Sequence, residues 1–156
     1  MSRSLAVLVL VVMAFPLGWS LLTGDFYMTV TGVSMTPTYQ RGDVLVVQRP
    51  DGQELRRTGE VVVISASRPD GPGPRYVHRV VEPLSDGSAW LQGDGNAARD
   101  PLPVSPDSVV GTPRMVLTGI AARILLFTES LWGRIALGAI ALALLFAPRA
   151  TARARH

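Results

Sequence analysis

The run Leu5–Leu22 sets the first constraint on this chain: eighteen consecutive residues without a charge, preceded by Arg3. That length is close to the minimum for a helix crossing the hydrocarbon of a bilayer. Two readings compete, an uncleaved anchor and a cleaved secretory signal. The run is long for the apolar part of a signal, and Gly18–Thr23 offers no Ala-x-Ala-like cleavage site. The expectation is an N-terminal transmembrane anchor over residues 1–23. Pro16 falls near its outer end, where a helix tolerates a missing hydrogen bond better than at its centre.

A second apolar segment lies in the region 119–148. Leu131–Ala147 is apolar apart from Arg134, which is near enough to the end to snorkel, with Trp132 beside it as an interfacial residue. Ile120–Phe127 is too short to span and reads either as an interfacial helix or as a continuation of the last strand. A basic tail, residues 149–156, follows Pro148.

The net charge of +3 is divided unevenly. Gly24–Gly119 holds nine Arg against eleven Asp and Glu, whereas the ends are basic. A weakly acidic middle gives nucleic acid no clustered cationic surface, so no nucleic-acid partner is expected. Arg3 on one side and Arg149, Arg153 and Arg155 on the other place both termini in the cytoplasm under the positive-inside bias. The expectation is a two-span protein of the cell membrane, with the lipid bilayer as a partner and residues 24–118 outside.

Those middle residues read as strands. Phe26–Thr31, Asp43–Gln48, Glu60–Ser65, Arg75–Glu82, Ser88–Gln92 and Ser108–Leu117 are short, rich in Val and aromatic residues, and bounded by Gly, Pro, Asp or Ser. The fold class expected is mainly β: a small antiparallel sheet or barrel flanked by N- and C-terminal transmembrane helices. Ser67–Pro74 reads as a Pro/Gly loop between two strands.

Between the first two strands lies Thr31-Gly32-Val33-Ser34-Met35-Thr36-Pro37-Thr38. Gly32 and Pro37 punctuate the backbone, so Ser34 sits on a bend, where a lone serine is most often a turn-capping hydroxyl. A nucleophilic role requires a base. All fifteen basic residues are Arg and there is no Cys, so neither a lysine amine nor a thiolate is on offer. The one internal histidine is His78, sharing a strand face with Tyr76 and Val80. A strand histidine is more often packed core than a base, yet imidazole is the one side chain here that accepts a serine proton near neutral pH. Such a base is oriented by a carboxylate. Gly93-Asp94-Gly95-Asn96-Ala97-Ala98-Arg99-Asp100 supplies two, Asp94 and Asp100, and spacing does not choose between them.

Gly32–Thr38 with the trailing Arg41-Gly42-Asp43, then Tyr76-Val77-His78-Arg79-Val80, then Gly93–Asn96 with Asp100, and last Val110-Gly111, resembles the type I signal peptidase family (peptidase S26). The likeness covers about residues 5–118. Most bacterial members carry Lys at the position of His78; this chain is similar to the endoplasmic reticulum and archaeal branch, where His stands there. The resemblance implies a serine endopeptidase that removes signal peptides from secreted precursors, with Ser34 as nucleophile, His78 as general base and Asp100 as the orienting acid. It implies a supporting part for Asp94 in shaping its loop, and an oxyanion contact from the Ser34 N–H. Gly32 and Met35 belong to the same motif, with Met35 either lining a specificity pocket or filling the core. Gly95 departs from the branch, which often has Asn there.

Signal-peptide-bearing preproteins are then the substrates, the translocation machinery is a candidate partner, and neither metal nor organic cofactor is expected. Two other readings stand beside this one. They are a peptidase dedicated to a few precursors and a catalytically silent, membrane-anchored β-domain that acts in assembly.

Overall fold

A computed structural model of the chain describes residues 2–68 and 71–146. They divide into two compact units, residues 20–122 and a helical unit formed by residues before 20 and after 122. The basic tail, Ala147 and Pro148 lie outside the described residues, as do residues 69 and 70.

Helix α1 covers Ser2–Thr23 and runs through Pro16 as one segment. Its Arg3–Thr23 portion, 21 residues whose most apolar 18-residue stretch has a mean hydropathy of 2.5, is long and apolar enough to cross a membrane. The helix stops at Gly24, whose φ of 74° is left-handed backbone that glycine adopts without strain. Gly24 N–H closes onto the Ser20 carbonyl at 2.9 Å, and Ser20 Oγ donates to the Asp25 carbonyl at 2.7 Å. Helix α2 covers Gly119–Glu129 and helix α3 Leu131–Phe146, so the stretch left open between helix and strand is helical. The two meet at an 81° bend. At sixteen residues α3 is about 24 Å long.

The unit of residues 20–122 is an antiparallel β domain. Its strands are β1 (Phe26–Thr29), β2 (Val44–Gln48), β3 (Val61–Arg68), β4 (Gly71–Pro83), β5 (Ala89–Gln92) and β6 (Val109–Leu117). All six pair in one sheet in the order β1-β2-β6-β3-β4-β5, so the last strand in sequence is central. Strand β6 pairs along Thr112–Leu117 with β2 and near Val109 and Gly111 with β3, joining the two halves of the sheet.

Residues alternate between two cores along the central strands, as the two-residue period requires. Val62 and Ile64 of β3 pack with Val80, Leu91 and Val104 in one cluster. Val63 packs with Val77, Leu45, Val47 and Met35 in the other. Val44, Leu45, Val46 and Val47 are each at most 1% exposed, so β2 is buried on both faces. Burial of this kind is worth about 1.5–3 kcal/mol per large aliphatic side chain.

The segment Ser67–Pro74 differs from the loop expected of its prolines and glycines. Strands β3 and β4 continue into it, pairing Ser67 with Pro72 and Arg68 with Gly71. Along β4, strand β5 pairs with Arg79–Pro83, so among the described residues the stretch before His78 is a sheet edge, where a residue lacking an N–H is tolerated.

Candidate active site

Ser34 stands on the turn between β1 and β2. Thr36 N–H donates to the Val33 carbonyl at 3.0 Å and Tyr39 N–H to the Met35 carbonyl at 2.9 Å, which winds the loop tightly around it. Met35, 1% exposed, plugs the loop into the core beside Leu45 and Val77. It also forms one wall of a depression of about 150 Å³ bounded by Met28, Val30, Gly32, Ser34 and Tyr76. Met35 is thus both core and pocket wall. A Cβ built on Gly32 would meet nothing nearer than the Ser34 nitrogen at 4.0 Å, so the space above this glycine is open.

His78 comes from β4, where it pairs with Val62 of β3, and is 8% exposed. Its Nε2 lies 3.2 Å from Ser34 Oγ. Its Nδ1 lies 2.9 Å from Asp100 Oδ2 and 2.8 Å from Oδ1. An ionised carboxylate only accepts, so Nδ1 carries the proton and Nε2 is left as the acceptor for the serine O–H. Tyr76 sits edge-on to the imidazole, with ring centroids 5.1 Å apart. Burial pushes the Tyr76 phenol above its ordinary pKa of 10.0, with a further rise from the Asp100 charge. It is a neutral wall at working pH.

Of the two aspartates left open by spacing, Asp100 is the one on the imidazole. Its N–H donates to the Leu91 carbonyl at 2.7 Å, which turns the loop back alongside the end of β5 and toward His78. Asp94 is placed elsewhere. It accepts from Arg79 Nε at 2.8 Å and Arg79 Nη2 at 2.6 Å, and also from Thr38 Oγ1. Arg79 further donates through Nη1 to the Gly59 carbonyl at 2.8 Å. The guanidinium beside Asp94 holds its carboxyl below the ordinary value of 3.8, against the opposing effect of burial. Asp94 therefore ties the serine loop, through Thr38, to β4.

Two glycines let these loops meet. A Cβ on Gly93 would lie 2.4 Å from the Ser34 carbonyl oxygen and 3.0 Å from His78 Nε2. One on Gly95 would lie 2.9 Å from the Thr36 carbonyl oxygen, and Gly95 N–H donates to the Ser34 carbonyl at 2.8 Å. Gly95, set apart in the sequence as a departure, is the place where the aspartate loop touches the serine loop. Sequence reasoning passed over Gly93 and Arg79; the paired Gly-Asp-Gly pattern was the signal for the first. Nothing signalled the second, because an arginine beside a strand histidine reads as solvated surface.

A wider depression of about 550 Å³ opens at the imidazole, bounded by His78, Asp100, Tyr76 and the Pro101–Ser105 segment. Among the described residues no group of three or more His, Cys, Asp or Glu side chains is arranged to hold a metal ion.

A serine hydroxyl, an imidazole and a carboxylate in hydrogen-bonded sequence can pass a proton from oxygen to nitrogen and stabilise the resulting imidazolium, the requirement for acyl transfer. The chain matches the family model described as Peptidase S24-like over residues 10–112, a span that includes Ser34, His78 and Asp100. No curated protein matches it. With that match covering most of its length, the chain belongs to the S24-like peptidase family, hydrolases of the serine-peptidase type.

Proposed function

We propose that this protein is a membrane-anchored signal peptidase of the His-containing branch, cutting signal peptides from secreted precursors by Ser34/His78/Asp100 chemistry. The observation that carries this reading is the unbroken chain from Ser34 Oγ through His78 to Asp100, at 3.2 Å and 2.9 Å. In the reaction Ser34 Oγ attacks the scissile carbonyl while its proton moves to His78 Nε2. Asp100 holds the tautomer and offsets the imidazolium charge. The Ser34 N–H, which donates to no backbone acceptor among the described residues, is free to stabilise the oxyanion. Collapse breaks the carbon–nitrogen bond, and His78 returns the proton to the departing amine. Water, deprotonated by the same imidazole, then releases the acyl group.

Anchoring supports the choice of substrate. The α1 helix offers a span of 21 residues, and a peptidase held beside the membrane suits chains threaded through it. The narrow depression at Ser34, about 150 Å³, fits small side chains before the cut. In this proposal both termini are cytoplasmic and the β domain is outside. The second crossing uses α3, which at about 24 Å requires local thinning of the bilayer.

Co-expression with a reporter preprotein tests the reading. Ser34→Ala and His78→Ala are expected to reduce cleavage by a factor on the order of 10⁴ or more; full processing by either would sink it. His78→Lys supplies the amine of the commoner dyad but places it against Asp100, where an ion pair holds it protonated, so little activity is expected.

A further inference from the structure

We infer that the wide depression beside His78 is the subsite for the substrate residues that follow the scissile bond, and that it selects bulky uncharged side chains there. The inference rests on the peptidase reading above and extends it to the half of the substrate released first.

The reasoning starts from the proton. Once the carbonyl carbon is bonded to Ser34 Oγ, the departing nitrogen must lie at His78 Nε2 to collect its proton. The chain before the cut then occupies the serine side, where the 150 Å³ depression contains Ser34 itself. The chain after the cut leaves on the imidazole side. There the second depression begins at His78 and does not include Ser34. Tyr76 borders both and forms the partition between them.

The chemistry of the lining sets the selectivity. Ile64 and Ala66 of β3 form the sheet side, and Pro101, Leu102 and Pro103 form the loop side. Three serine hydroxyls complete the rim, at positions 65, 105 and 108. His78 and Asp100 already face each other at 2.8 Å and the Tyr76 phenol is neutral, so no lining group remains to pair with a charged substrate residue. Placing an unpaired charge there costs free energy, whereas an apolar side chain gains by leaving water. The difference in size, about 550 Å³ against 150 Å³, sets an asymmetry: small residues before the cut, large ones after it. Leu102, 73% exposed, stands at the mouth as an apolar contact awaiting a partner.

The test uses the full-length protein in detergent micelles and a series of precursors identical up to the cleavage site. The first and second residues after it are varied in turn among Ala, Ser, Leu, Phe, Asp and Arg. Leu or Phe at one of these positions is expected to raise kcat/KM roughly tenfold over Asp or Arg, the scale on which apolar subsites discriminate. Leu102→Ser, at an exposed loop position that leaves the fold intact, is expected to cut that preference severalfold. Ala66→Leu, which fills the sheet side, is expected to bring Phe down to the level of Ala. A flat profile across the series, or a preference that survives both substitutions, overturns the subsite assignment alone. Failure to cut any member of the series overturns the peptidase reading with it.

Discussion

Neighbouring residues of β4 each receive an aspartate from the same short loop, and the two pairs do different things. His78 takes Asp100, and Arg79 takes Asp94. Adjacent strand positions face opposite ways, so one loop clasps the strand from both sides. An imidazole exchanges its proton near neutral pH, so a carboxylate on it tunes a base. A guanidinium stays charged, so a carboxylate on it makes a fork-shaped clamp. Identical acids become chemistry on one face and fastening on the other because of the cation each meets.

The contrast is broken most directly at Asp100. Asp100→Asn is expected to lower kcat about 10³–10⁴-fold while the melting temperature changes little, because the amide no longer fixes the useful tautomer. An equal fall in kcat for Asp94→Asn would erase the division of labour. Gly93→Ala comes next. Its methyl would press on the Ser34 carbonyl and on His78 Nε2, and displacements of about 1 Å cost roughly 10²-fold in rate. Activity that survives this change would mean that the two loops need not meet so closely.

The smallest effects belong to the clamp. Arg79→Lys loses the two-pronged contact and is expected to cost about 1 kcal/mol, or about 4–8 °C in Tm for a domain of this size, with kcat within tenfold. The Asp94 carboxyl has its folded pKa below the ordinary 3.8. Its contribution is therefore complete above 3.8 and is lost as pH falls through the folded value. Urea unfolding of the parent and of Asp94→Asn should show a stability gap at pH 7 that closes in acid. A gap unchanged at low pH would remove the clamp from the account.

How much of this was visible in the residues differs from place to place. The β strands were legible because Val-rich runs sit between Gly, Pro and Asp, and burial follows those runs. The pairing of Ser34 with His78 was legible by elimination, since a chain without lysine or cysteine leaves few bases. Spacing did not choose between Asp94 and Asp100, although the family resemblance favoured Asp100, because the choice depends on the Asp100 N–H turning back to the Leu91 carbonyl. Nor was the hairpin through Ser67–Pro74 legible: prolines read as breakers unless one knows that the strand beside them ends early. The Gly-Asp-Gly pattern marks Gly93 as a turn residue, but its need for clearance exists only once three segments converge.

The central position of β6 has a consequence for timing. The serine is carried between β1 and β2, the histidine by β4, and β6 is the ladder that joins β2 to β3. Synthesised from the N-terminus, the chain completes both hairpins and the aspartate loop before the residues that pair Val44 with Leu117 exist. Until then the pieces of sheet that carry the nucleophile and its base share no ladder hydrogen bonds, although loop bonds such as Gly95 N–H to the Ser34 carbonyl link them. The ladder between the half carrying Ser34 and the half carrying His78 thus closes only when the last strand arrives.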